Sequence, residues 1–323
     1  MIKASSLTKI YKGGFKAVDE ISFFVKEGEF FGFLGPNGAG KTTTMRILAT
    51  LDRPTSGKVE VDGFDVVKNP SAVRMRIGFA MQAVGLDDMA SARENLLLMG
   101  QLYGLSKVEA HKRCDELLNL FALEESANRF VSTYSGGMRR RLDVAAALMH
   151  HSKILFLDEP TEGLDPAGRR IIWKYLKDLN NSGTTILLTT HYMEEADFLV
   201  GNLAIINKGH IVASGTPKEL KDQIGGSKLF LHLMEPVAAE TLICDAFPGT
   251  TCSEEERYLV VDLKNGPSDV QRIFELLGQK RIAIAEFEMR SPSLEDVFIK
   301  FTGEHFEDEA PRNRDPYLTM RQR

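Results

Sequence analysis

Two periodicities divide the chain. Over roughly its first two thirds, short and nearly unbroken apolar runs alternate with stretches whose apolar residues recur every three or four positions. The runs at 29–34, 154–157 and 184–188 carry few polar residues, as strands buried on both faces do. Strands of that kind separated by helical patterns predict an α/β fold with a largely parallel sheet. Between about 90 and 150 the pattern is helical, which predicts a helical insertion in the α/β core. Val108, Leu117, Leu118 and Phe121 are its expected core positions in the first part.

The α/β pattern ends near residue 222. The stretch Ile224-Gly225-Gly226-Ser227 reads as a linker to a smaller unit spanning 228–303. There, 229–233, 258–263 and 282–289 read as strands. Ser268 is the expected cap of a helix with Val270, Ile273, Phe274 and Leu277 on one face, stopped at Gly278. Ser293 is the expected cap of a second helix carrying Leu294, Val297, Phe298 and Phe301, ended by Gly303. The unit is therefore a small α+β domain. Residues 304–323 are polar, contain two prolines and predict a disordered tail.

Composition narrows the class. With 43% hydrophobic and 26% charged residues among 323, the chain is an ordinary globular sequence. A net charge of −5 provides no global basic field, so no nucleic-acid partner is expected. Cys114, Cys244 and Cys252 lack metal-site spacing and read as reduced thiols. The first residues do not resemble a secretory signal, and no run approaches the ~18 apolar residues of a membrane span. A membrane function would therefore need a spanning partner.

The apolar run at 29–34 leads into Gly35-Pro36-Asn37-Gly38-Ala39-Gly40-Lys41-Thr42, which matches the phosphate-binding loop G-x-x-x-x-G-K-[ST]. Gly35, Gly38 and Gly40 let backbone N–H groups turn toward phosphate. Lys41 supplies a cation for the β- and γ-phosphates, and the Thr42 hydroxyl can ligate Mg²⁺. The helix that follows directs its positive end at the anion. At the end of the 154–157 run stand Asp158 and Glu159, at the strand end where open parallel sheets bind ligands. Asp158 suits Mg²⁺, and Glu159 suits the orientation or deprotonation of an attacking water.

Ser135-Gly136-Gly137-Met138 begins another helix, with Ser135 as cap and Leu142, Ala145, Ala146 and Met149 as its buried stripe. Such a helix start is a second anion site. One nucleotide does not need two of them from one chain, so the economical explanation is a two-fold dimer in which each chain completes its partner's site. Arg139, Arg140 and Arg141 follow, a charge run of the kind usually found on a solvated face.

The order of phosphate loop, Ser-Gly-Gly helix and Asp-Glu strand end resembles the nucleotide-binding domains of ABC transporters over most of residues 1–222. The resemblance implies a P-loop ATPase with a parallel-sheet core, an antiparallel β subdomain and the helical insertion, binding ATP and Mg²⁺. Tyr11 is similar to the aromatic that stacks on adenine, with Val18 packing beside it. Pro36, Asn37, Ala39 and Thr43 belong to the nucleotide loop. Gln82 resembles the glutamine that touches Mg²⁺ and the attacking water. Asp165, in Gly163-Leu164-Asp165, resembles the loop that communicates across the dimer, and His191 the histidine that contacts the γ-phosphate. Tyr134 stands where leucine is commonest and Met138 where glutamine is usual, while Ser135 and Gly137, expected to meet phosphate, are kept.

Ser291-Pro292-Ser293-Leu294-Glu295-Asp296-Val297-Phe298 resembles the ending of ATPases of ABC-2 type exporters, including the daunorubicin-resistance type. That implies a homodimeric engine for a separate permease, held peripherally at the cytoplasmic side of the membrane. A competing class is a non-transport ABC ATPase acting on nucleic acid or ribosomes. Paired ATPase domains, long coiled-coil insertions or zinc cysteines would mark it, and the chain shows none of these. A non-hydrolysing subunit is disfavoured by Lys41, Asp158, Glu159 and His191.

Overall fold

The computed structural model describes residues 1–80, 85–150, 152–233, 236–247, 251–253, 258–263 and 266–304. Its first half holds β1 (Ile2–Ile10), β2 (Lys16–Val25), β3 (Phe30–Leu34), α1 (Lys41–Leu48), β4 (Ser56–Val61), β5 (Phe64–Asp65), α2 (Pro70–Arg74) and β6 (Ile77–Ala80). Then come α3 (Ala92–Leu102), α4 (Lys107–Leu120), α5 (Gly136–Ala147), β7 (Ile154–Asp158), α6 (Pro166–Asn181), β8 (Thr185–Thr190), α7 (Met193–Leu199), β9 (Asn202–Asn207), β10 (His210–Gly215) and α8 (Pro217–Asp222). An antiparallel sheet in the order β2-β1-β4-β5 accompanies a six-stranded sheet in the order β10-β9-β3-β8-β7-β6. In the larger sheet only the β9–β10 pair is antiparallel.

Every residue of β3, β7 and β8 is buried, as the apolar runs require of central parallel strands. Because β8 lies between β3 and β7, the ends of these three strands are neighbours. Residues 35, 159 and 191 each leave the sheet at that one edge, although they are far apart in sequence. Ligands bind open α/β sheets at such an edge.

The helices of the 90–150 region share the core of the larger sheet. Leu96, Leu117, Leu118, Phe121 and Leu142 lie in one buried cluster with Leu155, Leu157 and Ile186. Ser91 with Glu94, and Ser106 with Glu109, form reciprocal capping boxes that start α3 and α4. Val108 is not a core residue, contrary to the sequence expectation, and is 80% exposed. The buried stripe of α4 is Ala110, Cys114, Leu117 and Leu118, and at 100° per residue Val108 falls on the opposite side.

The remaining elements are β11 (Lys228–Leu233), α9 (Pro236–Ala246), β12 (Thr251–Ser253), β13 (Tyr258–Asp262), α10 (Pro267–Gln279), β14 (Ile284–Arg290) and α11 (Leu294–Thr302). Their strands pair antiparallel in the order β12-β13-β11-β14, over a separate cluster that includes Leu229, Leu231, Ile243, Val261, Ile273 and Leu277. Helix α10 starts at Pro267 rather than behind Ser268, since proline at a first helical position gives up no needed N–H. It runs through Gly278 to Gln279.

The last helix departs from the expected organisation. Ser293 and Asp296 cap it reciprocally, but Leu294, Val297 and Phe298 belong to the ATPase core cluster with Leu199, Val200 and Leu220. Thus α11, read from sequence as part of the 228–303 unit, returns to pack on α7, α8 and β10. Phe301, expected on the same stripe, is half-exposed at its end. Of the predicted tail, 305–323 lies outside the described residues. No helix among the described residues is long and apolar enough to cross a membrane.

Candidate functional site

The loop after β3 needs its glycines. A Cβ at Gly35 would sit 2.1 Å from the Ile206 carbonyl oxygen. At Gly40, φ is 107° and a Cβ would meet the Ala17 carbonyl oxygen at 2.4 Å. Immediately after Gly40, α1 begins with Lys41, and no acidic residue lies in its first turn to compete for its positive end. The loop and helix start enclose a cleft of about 270 Å³ lined by Phe15, Ala17, Asn37, Gly38, Ala39, Gly40, Lys41, Thr42, Thr43 and Glu159.

Lys41 is 4% exposed, and its ammonium donates to the Gly35 and Pro36 carbonyls at 2.6 and 3.1 Å. It also lies 3.3 Å from Glu159 Oε1. Burial lowers the Lys41 pKa, and the Glu159 carboxylate opposes that shift. Burial acts to raise the Glu159 pKa, yet contact with His191 and the Lys41 charge more than offset it, leaving the carboxyl below its usual range. His191 Nδ1 is 3.1 Å from Glu159 Oε2. Glu159 is therefore held ionised between two cationic or polar neighbours.

Asp158 Oδ1 accepts the hydroxyls of Thr42 at 3.0 Å and Thr189 at 2.5 Å. Its other oxygen, Oδ2, is buried with no hydrogen-bond partner among the described residues. Burial raises the Asp158 pKa. A lone carboxylate oxygen beside a threonine hydroxyl suits a Mg²⁺ that takes its remaining ligands from phosphate and water.

The other expected residues lie as follows. Ser135 caps α5, its hydroxyl accepting the Met138 N–H at 3.2 Å. Gly136 faces open space, and a Cβ at Gly137 would meet only the Leu164 side chain at 3.5 Å, so the chain's own packing does not demand these glycines. None of the residues 135–137 lines the cleft at Lys41. Asp165 caps α6 by accepting the Gly168 N–H. Tyr11 donates to Asp52 at 3.2 Å with Lys9 over its ring, and it is Phe15, 63% exposed, that lines the cleft. Val18 is fully buried behind Gly40. Gln82 lies outside the described residues.

Two residues escaped the sequence reading. Thr189 accepts the Glu159 N–H on both its carbonyl and hydroxyl oxygens at 3.1 Å, besides donating to Asp158. Arg140, to which the sequence assigned no role within its charge run, is 7% exposed. Its guanidinium donates to the main-chain carbonyls behind the two carboxylates, and it pairs with Asp143 at 2.8 Å. Asp143, three residues after Arg140 and so on the same side of the helix, was the available signal.

A glycine cradle with a buried lysine, a carboxylate with a free oxygen and an ionised glutamate define a nucleoside-triphosphate hydrolase of the P-loop type. The chain belongs to the ABC transporter family, which it matches over residues 18–162, followed over 215–302 by a match to the C-terminal domain of DrrA1-3-like ATP-binding proteins. It is an ATP-binding protein that hydrolyses ATP.

Among its relatives is the daunorubicin resistance ATP-binding protein DrrA3 of Streptomyces coeruleorubidus, 42% identical over 90% of this chain and 93% of that protein. The linearmycin resistance ATP-binding protein LnrL of Bacillus subtilis is 35% identical over 95% of this chain and 100% of its own. A solved dimer of the ATP-binding cassette MJ0796 in a post-hydrolysis state, bound to ADP and Pi, is 31% identical. It covers 67% of this chain and 98% of its own, with a TM-score of 0.63.

Proposed function

We propose that this chain is the ATPase subunit of an ABC-2 type exporter, two copies of which close on two ATP·Mg²⁺ to drive a separate permease at the cytoplasmic face of the membrane. The carrying observation is the separation of the two anion-binding helix starts. Lys41 and its loop form one cleft, while Ser135, Gly136 and Gly137 do not line it, and a Cβ at Gly136 would meet none of the described residues. A second copy supplying residues 135–137 completes each site. The relative solved as a dimer with ADP and Pi supports that assembly, and the resistance and Nod factor export proteins among the relatives support an exporter.

In this reading the loop N–H groups and Lys41 take the β- and γ-phosphates, with Thr42 and Asp158 holding Mg²⁺, which neutralises phosphate charge. Glu159 orients the water that attacks the γ-phosphorus. The contacts with Lys41 and His191 hold its carboxylate where it can position that water and accept its proton. His191 contacts the γ-phosphate and keeps the glutamate in place. Tyr11 and Phe15 are the aromatic candidates for the adenine.

Mixing Lys41→Ala and Ser135→Arg chains tests the shared site, because one of the two sites in each mixed dimer is intact. Random pairing makes half the dimers mixed, so turnover should return to about a quarter of wild type. A mixture no more active than its components refutes composite sites. The exporter reading is tested separately by co-purification from solubilised membranes. Recovery of the chain without any multi-span membrane protein counts against it.

A further inference from the structure

We infer that Arg140 is a positioning residue that sets the Glu159 carboxylate in place and ties it to the helix start at Ser135, Gly136 and Gly137. The inference rests on the reading above that Glu159 orients the water and that residues 135–137 meet the partner's nucleotide.

Arg140 lies on the second turn of α5, four residues beyond Gly136. Its Nη2 donates to the carbonyl oxygens of Asp158 at 2.6 Å and Glu159 at 2.8 Å, and its Nε to that of Pro160 at 3.2 Å. Nη1 is taken by Asp143 Oδ2 at 2.8 Å. A planar guanidinium with five N–H donors can bind three successive carbonyls and a carboxylate together, and an ammonium cannot reproduce that fork. Burying a cation this deeply is unfavourable unless such partners are present, so the position is built around the arginine.

The clamped turn is itself unusual. Glu159 has φ 50°, in the left-handed region that side chains other than glycine, asparagine and aspartate seldom adopt. Such a conformation persists where its surroundings over-determine it. Here the Glu159 N–H is held by Thr189 on one side and its carbonyl by Arg140 on the other. That backbone directs the carboxylate between Lys41 and His191. Without Arg140 the turn can relax toward ordinary negative φ, and the carboxylate is carried away. The same side chain joins α5, whose start serves one nucleotide, to the carboxylates that serve the other. A shift of α5 on engaging the partner's phosphate therefore reaches Glu159 through one rigid contact.

The test compares Arg140→Gln and Arg140→Lys full-length chains with wild type in steady-state ATPase assays and nucleotide titrations. Displacing a reacting group by about 1 Å costs on the order of 10²-fold in rate. We expect kcat to fall by roughly that factor in Arg140→Gln, with ATP affinity within about threefold, and Arg140→Lys to recover little because it lacks the fork. A merely structural role would lower affinity and activity together and would be largely rescued by lysine. Combined with Glu159→Gln, the Arg140→Gln change should subtract almost nothing further from residual turnover. Unchanged kcat in both single variants, or fully multiplicative losses in the double variant, overturns the proposal. If Arg140→Gln does not fold, Arg140→Lys alone decides by its kcat at retained affinity. Normal turnover in Glu159→Gln alone would instead refute the role of Glu159 and is seen separately.

Discussion

Replacing Glu159 by glutamine removes one charge from the buried Lys41–Glu159 contact while keeping the shape of the side chain. At the observed 3.3 Å and an effective dielectric constant of about 20, the lost attraction is about 5 kcal/mol. Desolvation of both ions offsets much of that in the wild type, but the variant leaves Lys41 buried without its counter-charge, a change that typically costs about 3–5 kcal/mol. Bound triphosphate restores an anion to Lys41. Recovery of about 2 kcal/mol on binding corresponds to a melting temperature raised by roughly 4–8 °C more in the variant than in wild type. A non-hydrolysable ATP analogue with Mg²⁺, used on both proteins, keeps turnover out of the comparison. Hydrolysis should meanwhile fall by about 10²–10⁴-fold, or roughly 3–5 kcal/mol in the barrier, as loss of a positioned base does. An analogue-induced shift no larger than wild type would refute the charge argument. Turnover within tenfold of wild type would refute the role given to Glu159.

Burial pushes the Asp143 carboxyl up to about 6, with Arg140 pulling the other way. The folded protein then binds the proton more tightly than the unfolded chain, so this group's contribution to stability is lost as pH rises from about 4 through 6. The stability of wild type relative to Asp143→Asn should fall by up to about 3 kcal/mol across that window, measured by urea denaturation. A difference that instead grows with pH would mean that pairing with Arg140 outweighs burial. Phe298→Ala removes a side chain 1% exposed in the ATPase core and should cost about 3–5 kcal/mol, read by the same method. A cost below about 1 kcal/mol would show that α11 does not hold the C-terminal segment to the ATPase body.

The site was legible wherever a role depends on residue type and local spacing. A phosphate loop needs glycines at set positions because neighbouring carbonyls leave no room for a Cβ at Gly35 and Gly40. The strand end with Asp158 and Glu159 showed because a doubly buried strand must be apolar until it meets the ligand edge. Helix caps at Ser135 and Ser293 were equally local.

Long-range relations were hidden. Nothing in the local pattern places Arg140 against carbonyls 18 to 20 residues away, and a triple-arginine run looks solvated until the fold buries its middle member. Nor does the stripe Leu294, Val297, Phe298 say which core it joins, since one apolar face fits any complementary apolar surface. The sequence by itself determined the glycine cradle, the two carboxylates and the capped Ser-Gly-Gly helix, because their chemistry rests on residue type and spacing within a few positions. Only the tertiary structure decided that Glu159 is held between Lys41 and His191, that Arg140 clamps the turn behind it and that α11 docks on the ATPase core. The physical reason is that burial and electrostatic contact depend on which segments meet, and the chain settles that only when its strands take their order in the sheet.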